Sequence, residues 1–104
     1  MRLKNKKIRS VGTCGVTVII YGSKMYVANC GDSMALVVTQ NEENIGYVAL
    51  HERLSVNNPK ERERLYNEFP DDNDILVEEN KGCFYLKGRL QPTRTIGDYH
   101  MKHK

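Results

Sequence analysis

The chain is 104 residues long, with 39% hydrophobic and 28% charged residues and a formal net charge of +3. This length fits one domain with a modest core, or part of one. No apolar run approaches the roughly 20 residues of a membrane span, and no apolar signal region follows the basic N-terminus. We therefore expect an intracellular, cytoplasmic protein with no membrane partner.

The positive charge is concentrated at the N-terminus. Residues 1–10 hold five of the sixteen basic residues and no acid, which leaves 11 basic against 13 acidic residues beyond them. Such a short arm is more typical of a solvated tail than of a phosphate-binding surface. We predict a basic linker or tail at 1–10, one domain over 11–104 and no nucleic-acid partner. A basic β-rich nucleic-acid binder stays open as an alternative.

Apolar, β-branched runs dominate the first half of the domain. They lie at residues 16–21, 25–30, 34–39 and 45–50. Gly22-Ser23 between the first two predicts a hairpin, and the short connections that follow predict an antiparallel meander. The runs are nearly continuous rather than alternating, which is typical of a sheet covered on both faces.

One helix is clearly indicated near the middle of the chain. Asn58 is a favourable N-cap, Pro59 suits the first helical position, and Glu61 has the spacing of a capping box. The helix is predicted to run to Phe69, with Leu65 and Phe69 on one face.

The covering layer for the strands is incomplete in this sequence. Two further strands are predicted at residues 75–77 and 83–87, after a solvated acidic loop at 71–74. One helix cannot cover five or six apolar strands, so we expect that part of the covering layer either is absent from this chain or is supplied by another copy of it. The sequence therefore predicts self-association.

The three cysteines, Cys14, Cys30 and Cys83, are odd in number and form no C-x-x-C pair. We interpret them as small buried hydrophobic residues in a reducing compartment. A carboxylate, Asp32, follows Gly31 between two apolar runs. On this pattern alone a turn residue is favoured over a metal ligand or a catalytic group.

Four motifs occur in an order that identifies a family. They are Gly12-Thr13 opening a strand, YVANCGDSMA at 26–35, NNPKERERL at 57–65 and LKGRLQPTRTIGD at 86–98. Together they resemble the middle section of the PP2C family, the metal-dependent serine/threonine protein phosphatases. The resemblance covers residues 11–102.

The resemblance implies an α+β fold of two stacked antiparallel sheets flanked by helices. We expect a partial PP2C-like antiparallel β-sandwich here, a meander of about five to six strands with one flanking helix. The resemblance also implies Mg²⁺ or Mn²⁺ in the intact enzyme, where metal-activated water attacks phosphoserine or phosphothreonine of protein substrates.

Within this resemblance, Asp32 matches an aspartate that reaches a peripheral metal. It is the single metal ligand we predict, and we assign no catalytic or cofactor-binding residue. The family's D-G-H-G motif before this segment, and its D-G-x-[WF]-[DE] and D-N motifs after it, are absent from the sequence. A single carboxylate binds a divalent ion weakly. We therefore predict that the 104-residue chain alone is inactive and binds no metal tightly.

A non-catalytic, phosphatase-like interaction module is the alternative function. Met34 favours it, because it stands where the family usually has arginine after G-D-S. His100 and His103 have loose metal-ligand spacing, but we interpret them as part of a mobile tail. We do not expect His51 to be a general acid, and we expect Thr93, Arg94 and Asp98 to stabilise the sheet and its turn.

Overall fold

The computed structural model describes residues 6–102. This part of the chain contains eight strands and three helices. In chain order they are α1 (Lys6–Arg9), β1 (Gly12–Thr13), β2 (Gly15–Tyr21), β3 (Lys24–Cys30), β4 (Leu36–Gln40), β5 (Ile45–Ala49), α2 (Pro59–Glu68), β6 (Leu76–Asn80), β7 (Cys83–Leu86), β8 (Ile96–Gly97) and α3 (Tyr99–Lys102). None of these helices is both long and apolar enough to cross a membrane. His103 lies outside the described residues.

The strands form four antiparallel pairs, β1 with β8, β2 with β3, β4 with β5 and β6 with β7. The β2–β3 hairpin turns at Gly22-Ser23, as predicted, with Gly22 at φ 59°. The α+β class, the antiparallel pairing and the flanking helix are thus confirmed.

The predicted meander is divided into separate hairpins. Within residues 6–102, β3 has no ladder with β4. The reason lies in residues 31–35, which were predicted partly as a strand. Gly31 adopts φ 113°, and the backbone N–H of Ala35 donates to the His51 ring instead of to a neighbouring strand.

Helix α2 begins and ends near the predicted residues. The Asn58 side chain accepts a hydrogen bond from the Lys60 backbone N–H at 3.1 Å, and the Phe69 N–H donates to the Leu65 carbonyl at 2.9 Å. The capping box is only half formed, because the Asn58 N–H donates to the Ser55 carbonyl at 2.9 Å. The Glu61 side chain is thereby left for other contacts.

The hydrophobic core lies between α2 and the β6–β7 hairpin. Its buried members are Val56, Leu65, Ile75 and Leu76, with Phe84 and Leu86 packed against them. The Arg62 guanidinium lies 4.5 Å from the centre of the Phe84 ring, which adds a cation–π contact at the edge of this core. Phe69, the predicted partner of Leu65 on the helix face, is 37% exposed.

The β2–β3 and β4–β5 hairpins, by contrast, are uncovered. Ile20, Tyr21, Ile45 and Tyr47 are each at least 70% exposed. The accessible surface is 8316 Å², against about 6,000 Å² for a compact protein of this mass. The radius of gyration is 17.2 Å, against about 13 Å for a compact chain of this length. The apolar strands therefore lack the covering layer that their sequence predicts.

Candidate functional site

The loop of residues 31–35 carries Asp32, the predicted metal ligand. The loop begins at Gly31, whose φ of 113° is a backbone angle that residues with a Cβ atom rarely adopt. A Cβ at Gly31 would lie 2.3 Å from the Cys14 sulfur and 3.2 Å from the Arg94 carbonyl oxygen. Glycine is therefore required here both for its backbone angle and for the close approach of Cys14.

The Asp32 carboxylate is half-buried and contacts Cys14. The Cys14 thiol donates to Asp32 Oδ1 at 3.4 Å. Burial, aided by the carboxylate, raises the pKa of the Cys14 thiol, so the thiol stays protonated and serves as a donor. All three cysteines are free but only half-buried, so the prediction that they are buried hydrophobic residues was wrong in their degree of burial.

The rest of the loop is held by backbone and amide hydrogen bonds. The Gly31 carbonyl accepts from Asn29 Nδ2 at 2.9 Å and from the Leu54 N–H at 3.3 Å. At the other end, the Ala35 N–H donates to His51 Nε2 at 3.1 Å. The turn that presents Asp32 is thus fixed at both ends.

His51 uses both ring nitrogens in this structure. Its Nδ1–H donates to the Glu52 carbonyl at 2.9 Å, while Nε2 accepts from Ala35. The neutral Nδ1–H tautomer satisfies both bonds. This arrangement gives His51 a structural role at the end of the loop.

The donors around Asp32 do not fit a complete site for Mg²⁺ or Mn²⁺. Hard divalent cations prefer several oxygen ligands. Across residues 6–102, no group of three or more His, Cys, Asp or Glu side chains is placed to hold a metal ion. The Cys14 side chain, which hydrogen-bonds Asp32, is a protonated sulfur donor and not an oxygen ligand. Asp32 can contribute one ligand, and the chain's described residues do not supply the others.

The other acidic and histidine candidates have structural contacts. Asp72, in the acidic loop, forms an ion pair with Lys87 at 2.7 Å, and its side chain is only 16% exposed. The interpretation of that loop as wholly solvated was wrong at this residue. His100 lies in α3, where its Nδ1–H donates to the Arg9 carbonyl at 3.0 Å. It is anchored rather than part of a mobile tail.

A partly buried charge network joins helix α2 to the loop before β8. Glu61 is 8% exposed and pairs with Arg64 through two hydrogen bonds, of 3.1 and 2.9 Å. The Thr93 hydroxyl donates to the same carboxylate. Arg64 also pairs with Glu68 at 2.7 Å. The hydrogen bond from Arg64 is the largest cause that lowers the pKa of Glu61.

Sequence reasoning singled out Glu61 and Thr93 in separate motifs but missed their contact. Glu61 was interpreted as half of a capping box, and Thr93 as a residue hydrogen-bonded within the sheet. That second prediction was wrong, because the Thr93 N–H donates to the Leu54 carbonyl at 2.9 Å and neither residue lies in a strand. Neither motif by itself signals this contact, because Glu61 and Thr93 are 32 residues apart in the chain.

Asp98 stabilises the turn after β8, as expected. It adopts φ 46° and is 6% exposed. Its N–H donates to the Val11 carbonyl, and its carbonyl accepts from the Met101 N–H, both at 2.9 Å. A Cβ at Gly12 would lie 1.9 Å from Asp98 Oδ2, so glycine is needed opposite this carboxylate.

Comparison with known proteins agrees with these motifs. The family model for protein phosphatase 2C matches residues 1–104. "Probable protein phosphatase 2C 78" of Oryza sativa subsp. japonica is 36% identical over 104 residues, which cover 96% of this chain and 26% of that protein. "Probable protein phosphatase 2C 67" of Arabidopsis thaliana is 33% identical over 98 residues, which cover 94% of this chain and 26% of that protein. No solved structure was found to match.

The matched motifs and the family model agree, and the chain belongs to the protein phosphatase 2C family. It spans about a quarter of the length of the curated relatives that it matches.

Proposed function

We propose that this chain is the central segment of a metal-dependent protein serine/threonine phosphatase, whose substrates are phosphoserine and phosphothreonine proteins. Family membership supports the class of reaction. The segment contributes the β2–β3 and β4–β5 hairpins and α2 as scaffold, and Asp32 as one outlying ligand for Mg²⁺ or Mn²⁺. The fixed, half-buried loop around Asp32 supports that position for the ligand.

The chain by itself is proposed to be inactive. A metal generates a nucleophile only when several ligands hold it and leave a position open for water. The observation that carries this proposal is the single Asp32 carboxylate, since the described residues bring no cluster of metal-binding side chains together.

The test is an exchange of segments. The matched quarter of a relative with measured Mn²⁺-dependent phosphopeptide hydrolysis is replaced by residues 1–104 of this chain. We expect the chimera to hydrolyse the phosphopeptide, its Asp32→Ala variant to need more Mn²⁺ for half-maximal rate, and the free 104-residue chain to show no turnover. Turnover by the free chain would overturn its predicted inactivity.

The alternative is a non-catalytic, phosphatase-like interaction module. Met34, in the loop beside Asp32, is the observation that favours it, because a thioether cannot supply the positive charge found there in the family. A folded chimera without activity supports this alternative if Met34→Arg restores hydrolysis. A chimera as active as the unmodified relative contradicts it.

We further propose that the free chain self-associates through its uncovered hairpins. Their exposed apolar side chains and the large accessible surface support a second copy as the covering layer. Static light scattering after size-exclusion chromatography is expected to give a mass above the 12.0 kDa of the monomer. A monomer mass that is constant from micromolar to millimolar concentration contradicts this proposal.

A further inference from the structure

The loop of residues 31–35 is held by two side chains that no motif assigned to it. Cys14 precedes β2 and contacts the start of the loop, while His51 follows β5 and contacts its end. Both come from outside the loop, at sequence separations of 18 and 16 residues from Asp32 and Ala35. The loop is therefore contacted by side chains from the segments that flank two different hairpins.

Cys14 contacts the first two residues of the loop, Gly31 and Asp32. Its sulfur fills the space beside Gly31, where an added Cβ would lie 2.3 Å away. Its thiol donates to Asp32 Oδ1 at 3.4 Å. Because one carboxylate oxygen is engaged, rotation of the Asp32 side chain away from Cys14 costs this hydrogen bond.

His51 restrains the backbone at the opposite end. Its Nδ1–H is committed to the Glu52 carbonyl at 2.9 Å, which fixes the ring and leaves Nε2 as an acceptor. That acceptor binds the Ala35 N–H at 3.1 Å. The Leu50 N–H donates to the Ala35 carbonyl at 3.0 Å, so both backbone polar groups of Ala35 are engaged.

We propose that Cys14 and His51 are positioning residues for Asp32, which hold the loop in one conformation and the carboxylate in one orientation before any ligand arrives. The functional meaning of this inference rests on the proposed role of Asp32 as a ligand. Preorganisation of this kind lowers the ordering cost of binding, because the ligand-bearing side chain is already fixed.

The experiment measures side-chain order in the full 104-residue chain without metal. Three-bond NMR couplings across χ1 of Asp32 are compared in the unmodified chain, Cys14→Ala and Cys14→Ser, with Cys83→Ala as the matched control. We expect one χ1 rotamer in the unmodified chain and in Cys83→Ala, averaged couplings in Cys14→Ala, and recovery in Cys14→Ser, whose hydroxyl restores a donor. Unchanged couplings in Cys14→Ala would overturn the role of Cys14.

A second variant keeps the inference testable if Cys14→Ala does not fold. In His51→Leu, hydrogen exchange of the Ala35 amide is expected to rise about tenfold, the equivalent of one lost hydrogen bond of about 1.4 kcal/mol. The Asp32 couplings are expected to average as well. Unchanged exchange at Ala35 would refute the role of His51. No metal is added, so these results are independent of whether Asp32→Ala changes Mn²⁺ dependence in the chimera.

Discussion

At the scale of single residues, Gly31 is a position where both the backbone angle and the packing require glycine. Alanine at Gly31 meets strain from φ 113° and a clash with the Cys14 sulfur, at 2.3 Å from the new Cβ. We expect Gly31→Ala to lower the free energy of unfolding by about 3 kcal/mol or more, measured by urea denaturation.

Gly82→Ala is the matched control for this substitution. Gly82 also has a positive φ, of 82°, but beyond its chain neighbours no atom of residues 6–102 would lie within 4 Å of a Cβ added there. The control therefore carries the backbone strain without the clash, and we expect a loss of about 1 kcal/mol. Equal losses at the two glycines would show that the Cys14 contact is unimportant.

A second residue-scale prediction concerns the N-cap of α2. Asn58 Oδ1 accepts a hydrogen bond from the Lys60 N–H. Asn58→Ala removes this hydrogen bond and is expected to lower the free energy of unfolding by about 1 kcal/mol. Asn67→Ala, on the exposed side of the same helix, removes no cap and is expected to be neutral or slightly stabilising. Thermal or urea unfolding of both variants provides the measurement. A loss at Asn67 as large as at Asn58 would contradict the capping role.

At the scale of elements, the Glu61 network fixes α2 against the loop before β8. Glu61→Gln keeps the shape and an acceptor for Thr93 but removes the charge that faces Arg64. We expect a loss of about 2 kcal/mol at pH 7, because Arg64 loses a partly buried partner. Glu63→Gln, on the exposed face of α2, is the control and is expected to change stability by less than about 0.5 kcal/mol.

The same pair of variants predicts a pH dependence. The pKa of Glu61 is lowered in the folded chain, mainly by Arg64. Its contribution to stability is therefore complete above the unfolded value of 4.5 and is lost as the pH falls through the folded pKa. Urea unfolding between pH 6 and pH 3 is expected to show a shallower acid loss in Glu61→Gln than in Glu63→Gln. Parallel curves would contradict this assignment.

The elements themselves were largely predictable, and their contacts were not. Helix α2 and the β2–β3 hairpin carry local signals, an N-cap with proline and a Gly-Ser turn, so their positions follow from neighbouring residues. The Cys14–Asp32 and Glu61–Thr93 contacts join residues far apart in the chain, and no local pattern encodes them. The strand predicted to begin at residue 34 begins two residues later, at Leu36. The Ala35 N–H donates to the His51 ring instead of to a neighbouring strand.

At the scale of the whole molecule, we expect self-association of the chain to depend on the exposed apolar side chains of the β2–β3 and β4–β5 hairpins. Ile20 and Val38 are 70% and 65% exposed, one on each uncovered hairpin. Lysine at both positions adds charge to apolar surface without disturbing the core. Light scattering of the double variant is expected to show a shift toward the monomer mass. Asn67→Lys serves as the control for added charge, and an equal shift there would implicate net charge rather than the apolar surface.

The pairing of strands also sets an order of assembly. In the part of the chain that the structure describes, three of the four ladders join strands that are neighbours in sequence, whereas β1 and β8 pair Gly12 with Gly97 and Thr13 with Ile96. Short loops close with little entropic cost, and hairpins form in about 1–10 μs, but joining the two distant ends restricts nearly the whole chain. The local hairpins are therefore expected to form early and the β1–β8 pair last. The close contact between Gly12 and Asp98 is then expected to form only after these two strands have paired.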